Sequence, residues 1–283
     1  MMIENRYIVF ILVFFLGLSA CEKDSNVAVP ITSPKLVTAC FLSPTADGTE
    51  LRLTWSAPIF HTTNHDMPFE KNADVYISDG SNEYKAQYEV SNDRYFISKN
   101  DLQIDEGKKY SLKIQSSKSK DLSAETIIPL QPIFSITFQS VDSVKNDKYS
   151  PNSYSYRYFI KLNITNGDSK AYYRISVKGL AKNNGNSQIE SLFVSGGENR
   201  IIHGDYSGTL VTKRTYSYGG QIKRIYVNVH RVDETYYLYH HALENYSGAD
   251  IFSEPTLVYS NMENGFGVFC SYNNVTDSVE VKK

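Results

Sequence analysis

The stretch Glu50-Leu51-Arg52-Leu53-Thr54-Trp55 alternates polar and apolar residues, placing Leu51, Leu53 and Trp55 on one face. That period of two belongs to a half-buried strand. Runs of similar length recur along the chain. Strands are expected at Leu36 to Leu42, Ala73 to Ser78, Tyr84 to Val90, Arg94 to Ser98, Lys109 to Gln115 and Ala124 to Ile128, with turns at Asp47-Gly48 and Asp79-Gly80. Only Pro58 to Asn72 lacks periodicity and reads as a long loop. With 22 Tyr, 14 Phe and few long Ala/Leu/Glu/Lys runs, the chain favours strands over helices. Six or seven short strands in about a hundred residues predict a sandwich, and the fold class expected is all-β.

Pro129 and Pro132 bracket a seam. Beyond it, strands are expected at Ile133 to Val141, Tyr154 to Ile164, Tyr172 to Val177, Ile189 to Val194, Gly208 to Thr212 and Lys223 to Val229, paired mostly antiparallel because no crossover helix intervenes. One helix is predicted. Asp233 can cap Glu234 to about Tyr246, with Tyr239, Ala242, Leu243 and Tyr246 on its apolar face and Gly248 ending it. A hairpin-like stretch through Val275 to Val281 closes the chain. An early tryptophan, Trp55, and Tyr110, three residues after the turn glycine Gly107, make residues 35–130 resemble an immunoglobulin or fibronectin type III-like sandwich. Residues 131–283 then form a second antiparallel β domain with one helix near 233–246.

The first twenty residues have a different character. The apolar run Ile8 to Leu18 is too short to cross a bilayer as a mature helix, and it ends in Leu18-Ser19-Ala20-Cys21. This resembles the lipobox of bacterial lipoproteins, so 1–20 reads as a signal peptide and Cys21 as the lipidated first residue of the mature protein. Two or more acyl chains anchor stably where one does not, so the membrane is a direct partner. A plain signal peptide or an uncleaved anchor helix is the competing reading, and the n-region carries only Arg6, offset by Glu4. Residues 21–34, polar with Pro30 and Pro34, form a tether whose Glu22-Lys23-Asp24 resembles the surface-export signal of Bacteroidota lipoproteins. Export leaves Cys40 and Cys270 either as a disulfide or as two buried free thiols.

Removing 20 of 283 residues leaves 263 and a net charge still of -2, which argues against nucleic-acid binding. Neither a phosphate-cradling glycine loop nor a Cys-x-x-Cys pair occurs, and Ser195-Gly196-Gly197 lacks the flanking glycine of a nucleophile elbow. No cofactor or catalytic activity is expected. His61, His65 and Asp66 could offer metal ligands from a loop but lack a further partner. His240 and His241 diverge on the helix and read as surface residues. Tyr154, Tyr156 and Tyr158 share one strand face, to be buried or exposed together, either as cross-strand packing or as a platform for a glycan or protein. Asp142-Ser143-Val144 and Asp277-Ser278-Val279 resemble Bacteroidota O-glycan acceptors, making Ser143 and Ser278 candidates if they lie in exposed loops.

Ala73-Asp74-Val75-Tyr76-Ile77-Ser78-Asp79-Gly80, Gly107-x-x-Tyr110, Phe252-x-x-Pro255, Ser260-Asn261 and Gly265-x-Gly267-x-Phe269, in that order behind the lipobox, resemble the Bacteroidota lipoprotein family called domain of unknown function 4249. The resemblance covers nearly the whole mature chain. It implies an outer-membrane lipoprotein without catalysis, associated with a TonB-dependent outer-membrane receptor. The alternative is a carbohydrate-binding surface lipoprotein using the tyrosine-rich second half.

Overall fold

The computed structural model describes residues 33–57, 68–145, 154–165, 170–183, 186–195, 200–215, 222–246 and 258–282. The first half contributes β1 (Leu36–Leu42), β2 (Gly48–Trp55), β3 (Asp74–Ser78), β4 (Glu83–Lys85), β5 (Gln87–Glu89), β6 (Arg94–Ser98), β7 (Lys109–Gln115) and β8 (Leu122–Ile127). The second contributes β9 (Phe134–Lys145), β10 (Tyr154–Ile164), β11 (Tyr172–Asn183), β12 (Asn186–Ser191), β13 (Phe193–Val194), β14 (Arg200–His203), β15 (Tyr206–Thr215) and β16 (Ile222–Val232). Helix α1 (Glu234–Glu244) and strand β17 (Phe266–Glu280) complete the described elements. The fold is all-β with one helix, as the alternation predicts.

Three sheets form. One runs β12-β11-β16-β17-β1-β2-β6-β5, with β14 pairing the other end of β11. Two four-stranded sheets, β4-β3-β7-β8 and β13-β15-β10-β9, cover separate stretches of its inner face. Leu36, Cys40, Leu51, Leu53 and Phe269 meet Val75, Ile77, Leu112 and Ile114 in the first core. Ile175, Val227 and Val229 meet Ile160, Leu162 and Leu210 in the second. Two sandwiches thus share one continuous sheet.

The joint is β17. Its first residues run parallel to β1, Val37 opposite Phe266 through Leu42 opposite Ser271, and its remainder runs antiparallel to β16 from Tyr272 to Glu280. The expected boundary at 130/131 is therefore crossed. The first sandwich draws Met262 and Phe269 from the far end of the chain into its core. The hairpin expected near Val275 is instead one 15-residue strand. Asn273, which reads locally as a turn residue, is buried and donates from its side-chain amide to Glu106 Oε2 at 3.0 Å and the Pro129 carbonyl at 3.2 Å. Long-range partners there override local turn preference.

Other differences are smaller. The expected strand Tyr84 to Val90 divides at Ala86, β4 pairing with β3 and β5 with β6, so the chain changes sheets within it. Ile189 to Val194 likewise divides into β12 and β13, on different sheets. Tyr110 is fully buried; its hydroxyl accepts the Asp105 N–H at 2.9 Å and donates to the Gln103 carbonyl at 3.3 Å, the corner geometry of immunoglobulin-like sandwiches. Trp55 packs half-buried against the first core and donates its indole N–H to Glu70 at 3.2 Å.

Asp233 caps α1, accepting the Tyr236 N–H at 2.7 Å. The buried face matches the expected one at Tyr239, which packs on the sheet, but not at Leu243 or Tyr246. Tyr236 is 7 % exposed while Leu243 and Tyr246 are 42 % and 51 % exposed. Helical spacing alone admits either stripe. Val268, Cys270 and Phe41 on the sheet select the one carrying Tyr236.

Candidate functional site

The period of two that sends Leu51, Leu53, Tyr95 and Ile97 into the first core sends Glu50, Arg52, Arg94 and Phe96 to the opposite face of the same strands. On β11, Tyr173 and Ile175 enter the second core and Arg174 faces out; on β16, Val227 and Val229 go in and His230 out. Because the sheet is continuous, these outward residues share one surface, and α1 lies across it. Beside the helix runs an open groove of about 820 Å³, lined on its floor by Phe41, Arg52, Arg94, Arg174, His230 and Tyr272 and on its helical wall by Tyr236 and His240.

Its cations differ in their partners. Arg94 is neutralised by Glu50 and by Glu89, whose Oε2 accepts from Nε at 2.7 Å, and lies 4.5 Å over Phe96. Arg174 is half-buried and has no carboxylate at ion-pairing distance among the described residues. Its Nη1 donates to the Tyr236 hydroxyl and its guanidinium stands 5.7 Å from the centre of that ring. His230 sits directly across from it in the β11/β16 pairing. Burial, with Arg174 adding to it, holds His230 down to about 4, and the same two causes hold His240 below its usual value against the raising effect of its bond to the Tyr236 carbonyl. His240 stacks on Tyr236 with ring centres 4.1 Å apart, and its Nδ1–H donates to that carbonyl at 3.0 Å, leaving Nε2 as an acceptor. The groove thus presents an uncompensated guanidinium among neutral imidazoles and phenols. This arrangement suits recognition of an anion rather than proton transfer.

At the start of α1, Asp233 ties three elements together. Its Oδ2 accepts from the Thr126 hydroxyl of β8 and from the Ser271 N–H of β17 at 3.2 Å, while Oδ1 caps the helix. Burial pushes its carboxyl up to about 6 despite these bonds. Among the described residues no group of three or more His, Cys, Asp or Glu could hold a metal ion.

The residues singled out from sequence fall elsewhere. Cys21, and the loop residues His61, His65 and Asp66, lie outside the described residues, as do Gly196, Gly197 and Gly248. Cys40 and Cys270 are free and buried. A disulfide between them is ruled out by the pleat: Cys40 points into the first core and Cys270 to the helix side of the sheet. Burial pushes the Cys40 thiol up to about 12.

Tyr154, Tyr156 and Tyr158 do share a face, with ring centres 6.5 and 6.4 Å apart, but not a common fate. Tyr154 is 38 % exposed and Tyr158 1 %, because burial along β10 begins only at Tyr158, whose hydroxyl accepts the Ile222 N–H. Ser143 and Ser278 lie within β9 and β17 rather than in loops; Ser143 is exposed and Ser278 half-buried opposite Tyr226. His240 is a groove residue, not a surface one, whereas His241 is exposed. Sequence reading missed Arg52, Arg94, Arg174 and His230. The available signal was the outward parity of each strand, which identifies a face without saying that the faces join.

Comparison with curated proteins found no match. Comparison with family models found one extending over residues 22–278, so it takes in every element described above except the last two residues of β17. The chain belongs to the family described as Domain of unknown function (DUF4249).

Proposed function

We propose that this chain is a non-catalytic binding protein of the cell envelope, held at the outer membrane through a lipidated Cys21 and serving a TonB-dependent outer-membrane receptor. The observation that carries the binding role is the open groove of about 820 Å³ whose half-buried Arg174 lacks a carboxylate partner among the described residues. Burying a charge without a counterion is costly, and such a charge is retained where a ligand supplies the missing partner. The anchor is supported by Leu18-Ser19-Ala20-Cys21, by the polar tether after it, and by a family match that begins at residue 22, one position past the cysteine. The receptor follows from the family resemblance alone.

Two measurements test this. Labelled palmitate should enter the full chain and not Cys21→Ser, and that variant should leave the membrane fraction. Capture from detergent-solubilised outer membranes should recover a TonB-dependent receptor identified by mass spectrometry. Equal membrane association of the variant removes the anchor; capture without a receptor removes that partner.

In a second reading the ligand is a carbohydrate. Burial of Tyr158 weakens the tyrosine row as its platform, and the aromatic rings around the groove take over that role.

A further inference from the structure

We propose that the groove beside α1 binds a uronic-acid saccharide, with its carboxylate on the Arg174 guanidinium and its ring against the neighbouring aromatic side chains. This rests on the groove being a binding face and deepens the carbohydrate reading.

Three features select this class. First, Arg174 is half-buried and has no carboxylate at ion-pairing distance among the described residues; its Nη1 is fixed on the Tyr236 hydroxyl, while its other donors remain for a planar acceptor. Arg94 is already occupied by Glu50 and Glu89, and Arg52 is exposed. A carboxylate matches the fork of a single guanidinium. Second, the groups beside it are Tyr272, Phe41 and the imidazoles of His230 and His240, the last stacked over the buried Tyr236; of the two carboxylates that also line the groove, Glu50 is paired with Arg94 and Asp47 lies on the first half's β1–β2 turn. Aromatic faces accept the apolar face of a sugar ring, and neutral imidazoles and phenols exchange hydrogen bonds with its hydroxyls. Third, the floor is built from β1, β2, β6, β16, β17 and β11, each of which has a neighbour on both sides in the sheet. An extended acidic peptide, which binds through main-chain pairing at a sheet edge, finds none there. Recognition must be by side chains.

The test uses the full chain in detergent and four probes: trigalacturonic acid, its uncharged methyl ester, inorganic phosphate and a Glu-rich peptide, measured by calorimetry. The acid should bind, the ester at least tenfold more weakly, and phosphate should not displace the acid at equal concentration. Arg174→Gln should lose the preference for acid over ester without lowering the unfolding temperature, because it removes a charge that has no carboxylate partner among the described residues while the glutamine amide can still donate to the Tyr236 hydroxyl; Arg174→Lys should recover it only in part, having charge without the fork. Arg94→Gln should leave it intact. In parallel, the His230 ring titration followed by NMR should move upward when the acid is added, since a bound carboxylate offsets the Arg174 field that disfavours the imidazolium.

Ester binding equal to acid binding overturns the carboxylate assignment while leaving the carbohydrate reading standing. Absence of binding by acid and ester overturns both. Displacement by phosphate, or by a Glu-rich peptide, at equal concentration overturns the saccharide assignment. If Arg174→Gln does not fold, the His230 shift in the parent protein decides, and no shift overturns the proposal.

Discussion

His230 and Asp233 stand three residues apart where β16 gives way to α1, and burial drives their titrations in opposite directions. The unfolded chain protonates histidine near pH 6.5 but the folded protein only near 4, so the stability contributed by neutral His230 is complete above pH 6.5 and lost as pH falls to 4. Asp233 holds its proton up to about pH 6 in the fold and releases it near 4 when unfolded. Its contribution is complete below pH 4 and lost as pH rises to 6. About two units of displacement correspond to roughly 3 kcal/mol for each, and the opposed trends should nearly cancel in the parent protein. Asp233→Asn, which keeps an acceptor for the helix cap, should expose the histidine trend as a loss of roughly 3 kcal/mol between pH 6.5 and 4. His230→Asn should show the reverse slope. Urea unfolding at stepped pH measures both, and flat profiles in the two variants would refute the assignment. Of the pair, only Asp233 was legible in sequence, because a cap is local chemistry; nothing near His230 in the chain announces Arg174.

At the scale of elements, the decisive contact is a backbone one. Gly267 adopts φ +107, and a Cβ there would land on the Thr38 carbonyl across the β1/β17 pair. No rotamer change relieves a clash with backbone, so Gly267→Ala should part the two strands at the point where the sandwiches join, with a loss of more than about 3 kcal/mol in thermal unfolding. Tyr110→Phe keeps the buried ring but strands the Asp105 N–H and the Gln103 carbonyl, and should cost about 1–3 kcal/mol in denaturant unfolding. A loss under half a kcal/mol would show that water replaces the hydroxyl. Most strand positions were readable because alternation is written locally: β1, β6, β7 and β10 coincide with their expected ranges. β17 was not, because its pairing partners β1 and β16 are far apart in sequence and its Asn273 imitates a turn. The helix was readable in extent and capping but only in part in its buried face, which the sheet beneath it selects.

For the whole molecule, the shared sheet predicts dependence between halves that the Pro129–Pro132 seam would deny. A fragment of residues 35–130 lacks Phe269 and Met262 from its core and leaves the far side of β1 unpaired. It should stay unfolded by circular dichroism and give collapsed amide NMR dispersion, whereas the full chain unfolds with both sandwiches engaged; a well-dispersed fragment spectrum would refute this. The sequence by itself determined the class of fold, most of the strands, the cap of the helix and, through the pleat, which side chains share a face. Tertiary structure alone decided that β17 would fuse two sandwiches into one sheet and so bring Arg52, Arg94, Arg174 and His230 onto a single groove. Side-chain parity is fixed residue by residue along a strand, but the choice of neighbouring strand depends on long-range burial and pairing that compete against loop-closure entropy, and these are properties of the assembled core.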